Sequence, residues 1–148
     1  MPTINVYLMF NGNCEEAFNF YKSVFGGEFP FMGRFADMPA EAGGGTIPEE
    51  EKNRVMHVSL PISKETILMG SDTGGEWAAG FKQGNNFSVS ITADSKEEAD
   101  RLFEQLSDGG NVTTPLASTF WGDYFGSFTD KFGINWMVSW NEQASGGH

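Results

Sequence analysis

The chain has 148 residues, 39% of them apolar and 14% Phe, Trp or Tyr, enough for one full-sized domain or two small modules sharing a core. Twenty acidic against nine basic residues leave a net charge of −11, which argues against nucleic acid and anionic membranes, since both require a cationic surface. No apolar run approaches the roughly 20 residues that span a bilayer. Met1-Pro2-Thr3-Ile4 lacks a basic leader region, and the single Cys14 leaves no partner for an internal disulfide, so a cytoplasmic protein is expected.

In chain order, residues 4–10 alternate, with Ile4, Val6, Leu8 and Phe10 on one side of a strand and Asn5, Tyr7 and Met9 on the other. Asn13 with Glu16 three residues on reads as a capping box. The helix it opens runs to about Phe25, carries Ala17, Tyr21, Val24 and Phe25 on one stripe, and stops at Gly26-Gly27. Residues 28–35 form a short aromatic strand. An acidic, Gly/Pro-rich loop over 37–53 follows, longer than a routine connection. Strands over 54–62 and 66–69 complete this half, with His57 and Ser59 on one face and Met56, Val58 and Leu60 on the other.

The pattern then repeats. A strand over 87–92 leads to a helix capped by Asp94 with Glu97 or by Ser95 with Glu98, carrying Ala99, Leu102, Phe103 and Leu106 to Gly109-Gly110. A strand over 111–114 and a loop through Pro115 precede the aromatic hairpin of residues 120–140, whose tight turn is Asp130-Lys131-Phe132-Gly133. In its second strand Ile134, Trp136, Val138 and Trp140 point one way and Asn135, Met137 and Ser139 the other. Laid over itself, the chain sets Glu16 on Glu98, Ala17 on Ala99, Tyr21 on Phe103 and Val24 on Leu106, an internal duplication whose halves each read strand, helix and three strands.

The duplicated unit, with Tyr7-Leu8-x-Phe10-x-Gly12, Met56-His57, Leu68-Met69-Gly70-Ser71-Asp72 and Trp121-Gly122-Asp123 leading to Phe132-Gly133-x-x-Trp136, resembles the PhnB-like branch of the vicinal oxygen chelate superfamily. That superfamily includes glyoxalase I, extradiol dioxygenases and the bleomycin and fosfomycin resistance proteins. The branch also bears the label 3-demethylubiquinone-9 3-methyltransferase-like, without a methyltransferase fold. The resemblance implies an α+β fold of two βαβββ modules on a curved mixed sheet, usually as a homodimer. Module 1 would span 3–72, a connector 73–86 and module 2 87–141, with a flexible tail over 142–148. In metal-dependent members each module supplies a His or Gln and a Glu. Carried over, those positions fall on Val6, Ser88, Met137 and a residue near Ile67 or Met69, none of them a conventional ligand for zinc, iron or manganese. No metal and no cofactor are therefore expected.

The expected cavity is lined by Val6, Leu8, Met69, Ser88 and Ser90 together with Asn135, Met137 and Ser139, a surface with hydroxyls and an amide but no fixed charge. It suits a small neutral or weakly polar organic molecule. Trp121, Asp123 and Tyr124 form a second candidate contact, an aromatic wall with a hydrogen-bond acceptor. Against this stands the plainer reading of Asp123 as the cap of its own turn. His57 is the candidate for acid/base work, weighed against a histidine merely bonded within its sheet. Arg34 and Arg54 offer a route for an anionic group at the rim, and Cys14 reads as packing rather than as a reactive thiol. The alternatives are an enzyme of lyase, isomerase or dioxygenase type with an atypical centre near His57, or a protein that sequesters a drug or metabolite unchanged.

Overall fold

A four-stranded sheet whose strands alternate apolar and polar side chains presents one face to a core and one to its surroundings, and a single short helix can cover only one of them. This arrangement occurs twice. The computed structural model describes residues 2–37, 48–74 and 80–141. The chain divides into two units, Met1–Lys82 and Gln83–His148. Most of the expected acidic loop (38–47) and the tail (142–148) lie outside the described residues; Glu49–Glu51 at the end of that loop is a single 3-10 turn.

The first unit contains β1 (Val6–Phe10), α1 (Cys14–Phe25), β2 (Phe31–Arg34), β3 (Val55–Pro61) and β4 (Ile67–Asp72) in the sheet order β1-β4-β3-β2. β1 lies parallel to β4, and the other pairs are antiparallel. α1 covers the face carrying Leu8, Phe10, Val58, Leu60 and Leu68, all buried. Gly70 is what allows the close approach: a Cβ there would stand 2.6 Å from the Phe18 ring and 2.8 Å from the Leu8 carbonyl oxygen. Phe18, which is not on the stripe read from the sequence, is therefore fully buried on the sheet, whereas Phe25 of that stripe is only half-buried. A register shift at Gly33/Arg34 also sends Val55 rather than Met56 into the core.

The expected cap of α1 is replaced by another. Asn13 makes no side-chain cap hydrogen bond. The Asp72 carboxylate, buried at the end of β4, accepts from the backbone N–H of Gly12 (2.8 Å) and Cys14 (2.9 Å) through Oδ1 and from Val55 (3.0 Å) through Oδ2. One side chain thus ties the helix start to the start of β3 and the end of β4. Farther along, Arg34 grips Glu15 in a two-pronged pair, Nη1 to Oε1 at 3.0 Å and Nη2 to Oε2 at 2.7 Å, and also donates to the Asn53 carbonyl. Arg54 donates to Asn11 Oδ1 and the Thr73 carbonyl. Both arginines expected to admit an anion at the rim are engaged in holding loops and helix together.

The second unit contains β5 (Val89–Thr92), α2 (Lys96–Ser107), β6 (Asn111–Ser118), β7 (Tyr124–Thr129) and β8 (Asn135–Trp140) in the order β5-β8-β7-β6. Of the two caps considered, Ser95 with Glu98 forms: Ser95 Oγ accepts from Glu98 N–H at 3.0 Å, and Glu98 Oε1 accepts from Asp94 N–H. Phe103 lies over Gly126, where a Cβ would stand 2.6 Å from its ring, as Phe18 lies over Gly70. β6 continues through Pro115, where a loop was expected. It is an edge strand whose register slips between Thr114 and Ala117, so the missing N–H interrupts no inner ladder. The hairpin turn forms as read, with Gly133 at φ +91° and its N–H donating to the Asp130 carbonyl. Asp130 accepts from the N–H of Phe132 and Ile134 and from Trp136 Nε1, the last at 2.8 Å. Trp136 and Phe128 are buried within this unit.

Two stability tests follow from these contacts. Asp72→Ala leaves three backbone donors without their acceptor and should cost roughly 3 kcal/mol, whereas Asn13→Ala should cost less than about 0.5 kcal/mol, both by urea denaturation; equal losses would refute the long-range cap. The second concerns Glu15, whose carboxyl is held below its ordinary 4.5 by the hydrogen bonds from Arg34, opposed by partial burial and aided by the Arg34 charge. A lowered folded-state value means stability present above 4.5 and lost as pH falls through that lowered value. The deficit of Glu15→Gln, under about 1 kcal/mol at neutral pH because the pair is partly exposed, should disappear in acid.

Candidate functional site

The faces not covered by the helices are where a ligand can reach side chains. In the first unit, pairing of Tyr7 with Met69 and of Ser59 with Met69 and Phe31 puts these four on one face, with His57 and Ser71. Tyr7, Met9 and Phe31 are close to half exposed, at 45%, 44% and 50%. Tyr7 Oη and His57 Nδ1 are 3.2 Å apart, and their rings stack with centroids 5.6 Å apart at 30°. The Phe31 ring meets His57 from the other side at 5.8 Å. It lies across Gly33, where a Cβ would come within 3.0 Å of it, so the missing side chain makes room for the aromatic. Ser71 Oγ donates to Met9 Sδ at 3.4 Å.

The second unit repeats the plan with different chemistry. Ser90 pairs with Met137, Thr92 with Ser139, Met137 with Ser127 and Ser139 with Phe125, all on the face away from α2. Asn135 shares it, with its Oδ1 taking a hydrogen bond from Thr129 Oγ1 at 2.7 Å. Ser88 precedes β5 and is exposed. Trp121 approaches Phe125, with centroids 6.5 Å apart.

Of the residues read as cavity lining, Ser90, Asn135, Met137 and Ser139 therefore share one uncovered face, and Met69 lies on the corresponding face of the first unit. Val6 and Leu8 do not. Val6 pairs with Leu68 and Leu8 with Gly70 on the face beneath α1, and Leu8 is 3% exposed. The residues of β1 that face outward are Tyr7 and Met9. The equivalence of Val6 with Ser88 is also off by one: β3 and β4 match β7 and β8 with Leu60–Leu68 set on Phe128–Trp136, which makes Val89 the counterpart of Val6 and Ser90 that of Tyr7. The link between β5 and α2 is one residue shorter than that between β1 and α1, so an offset set by the helices misplaces the strands.

Tyr124 also turns to the covered side. Its hydroxyl donates to Asp100 Oδ1 on α2 at 2.5 Å, and Lys96 stands over its ring. The Asp100 bond, with burial and the Asp100 charge, raises the phenol above its usual 10. Asp123 closes its own turn, the plainer of the two readings. Its N–H and carbonyl bond Thr119, Oδ2 accepts from Trp121 Nε1 at 3.0 Å and Oδ1 from Asn141 Nδ2 at 2.7 Å. Cys14 is fully buried, and burial, then the charges of Asp72 and Glu15, push its thiol far up, out of reach of thiolate chemistry. What the sequence reading missed is the Tyr7–His57–Phe31 cluster. The parity of Tyr7 with Asn5 and Met9 was visible; the choice of face was not.

The donor set on these faces does not fit a divalent metal. At corresponding strand positions stand Tyr7 and Ser90, Met69 and Met137, and among the described residues no three of His, Cys, Asp or Glu converge. A shallow depression of about 610 Å³ on the solvent side of α2, edged by Glu97, Asp100, Arg101 and Glu104, is one helix face without an opposing wall.

Comparison with known proteins agrees with the fold. The chain is 39% identical to protein PA1353 of Pseudomonas aeruginosa, with a TM-score of 0.79 over 95% of this chain and 98% of that one. The PhnB protein of Bacillus cereus is 27% identical, with a TM-score of 0.72 over 94% and 99%. Protein YjdN of Escherichia coli K12 is 30% identical over 147 residues, 94% of this chain and 95% of that protein. At 9% identity, FosX of Listeria monocytogenes, solved with Mn(II) and sulfate, shares the fold alone, with a TM-score of 0.62 over 99% and 98%. Residues 2–139 match the profile described as 3-demethylubiquinone-9 3-methyltransferase, and the chain belongs to that PhnB-like family of the glyoxalase/bleomycin resistance fold.

Proposed function

We propose that the protein binds a small neutral or weakly polar organic molecule on its uncovered sheet faces, without a metal ion, as a cytoplasmic homodimer. The observation that carries this is the composition of those faces. Serine, methionine, asparagine and aromatic side chains line them, and the charged groups nearest in sequence are committed elsewhere: Arg34 to Glu15, Asp72 to three backbone N–H groups, Asp123 to Trp121 and Asn141. Among the described residues an anionic substrate would meet no Lys or Arg on these faces, whereas an apolar body oriented by two or three hydrogen bonds matches the lining.

Native mass spectrometry of protein never exposed to chelator, with elemental analysis, tests the reading directly. The expected result is a carried organic molecule and no stoichiometric transition metal; stoichiometric zinc, nickel, iron or manganese defeats it. Ser90→Phe, which fills the face beside Met137, should weaken binding of the carried molecule roughly tenfold with the fold intact. Arg34→Ala, on the α1 side, should not weaken it.

Phe120 is 97% exposed, Phe87 66% and Trp121 57%, and aromatic surface of this extent marks a partner interface. Sedimentation equilibrium at tens of micromolar should give twice the chain mass, and Phe120→Ser with Trp121→Ser should move it toward the monomer; wild-type protein at the chain mass refutes the dimer.

A further inference from the structure

We infer that the uncovered face of the first unit is a subsite for a planar aromatic molecule carrying one neutral hydrogen-bond acceptor, held against Tyr7 and Phe31 and oriented by His57. The inference rests on the reading of the uncovered faces as ligand surfaces and names what one of them takes. Three observations carry it.

The two faces are built on corresponding strand positions, yet only the first has a polar ring at its centre. Ser59 corresponds to Ser127 and Met69 to Met137, but His57 corresponds to Phe125 and Tyr7 to Ser90. A histidine that served only the sheet would need no such company. Here it lies between two aromatic rings, each about half exposed.

The imidazole is also held in one orientation. In the tautomer that the inference assigns, Nδ1 accepts from the Tyr7 hydroxyl across 3.2 Å and the ring hydrogen sits on Nε2. Among the described residues Nε2 has no partner, so one N–H donor remains for a ligand. A ring nitrogen or a carbonyl oxygen accepts that hydrogen.

The third observation is the surroundings. Tyr7, Met9, Phe31, Ser59, Met69 and Ser71 are uncharged, and the missing side chain at Gly33 leaves room for the Phe31 ring close to the strand. Exposed π faces and thioethers favour a flat aromatic body. A carboxylate or phosphate would be stripped of water with only one neutral donor in return.

The test uses the full-length protein carrying ¹³C-methyl methionine, titrated at mildly alkaline pH with quinoline, naphthalene and 1-naphthoate. These share a bicyclic body and differ in having a neutral acceptor, none, or a negative charge. Quinoline should shift the methyls of Met9 and Met69 saturably, and bind about three- to tenfold more tightly than naphthalene, the contribution of one neutral hydrogen bond. Naphthoate should bind least. His57→Phe keeps a ring in place and should abolish the preference for quinoline, whereas Phe31→Ser should weaken quinoline and naphthalene together. Long-range ¹H–¹⁵N spectra should show His57 protonated on Nε2. Equal binding of quinoline and naphthalene, tightest binding of naphthoate, or His57 protonated on Nδ1 overturns the inference. Shifts confined to the Met137 methyl overturn it while leaving the uncovered faces as ligand surfaces; no methyl shift with any of the three, in protein that also carries no organic molecule, removes both.

Discussion

The buried carboxylate of Asp72 decides which side chains the first unit shows to the outside. By accepting from the N–H groups of Gly12, Cys14 and Val55, it fixes where β4 ends, where α1 begins and where β3 enters the sheet. Side chains alternate along a strand, so slipping β4 by one residue would exchange its two faces. Leu68 and Gly70 would leave α1, and Met69 and Ser71 would turn under it. The Tyr7–His57–Phe31 cluster therefore depends on an acid that touches none of its members.

The second constraint is that each helix has only twelve residues with which to cover four strands. Close approach compensates for short length. Gly70 admits Phe18 and Gly126 admits Phe103, so a ring rests on backbone where a side chain would hold it off, and one helical stripe seals one face. Nothing in a unit's own helix is left for the second face. That face stays uncharged and rich in methionine, which suits a surface waiting for a ligand better than one meant for water.

Much of this was legible in the sequence, for local reasons. The strand parities apart from that of Met56, the Gly133 turn, the Ser95–Glu98 cap and the repeated strand-helix order all follow from neighbours a few residues apart. What was not legible depends on residues far apart in the chain. Asn13 is a good cap by propensity, but Asp72 reaches the same N–H groups from across the fold and displaces it. Val6 and Leu8 have the same alternation whichever face is covered, and only pairing with Leu68 and Gly70 reveals that they lie under α1. A one-residue difference in the link before each helix is invisible when the repeat is aligned on the helices. It is enough to confuse Ser88 with Val89.

The aromatic hairpin shows why exposure cannot be read from the abundance of rings. The indole N–H of Trp136 donates to Asp130, the same carboxylate that closes the turn, and the ring is thereby drawn beneath α2 with Phe128. The rings left outside belong instead to the 119–123 turn, whose backbone is satisfied by Thr119 and Asp123. Phe120 and Trp121 are thus held outward by a turn that is stable on its own terms. Their exposure is a property of the turn's geometry rather than a shortage of cover, because the same unit buries Trp136 and Phe128 beneath a helix of twelve residues.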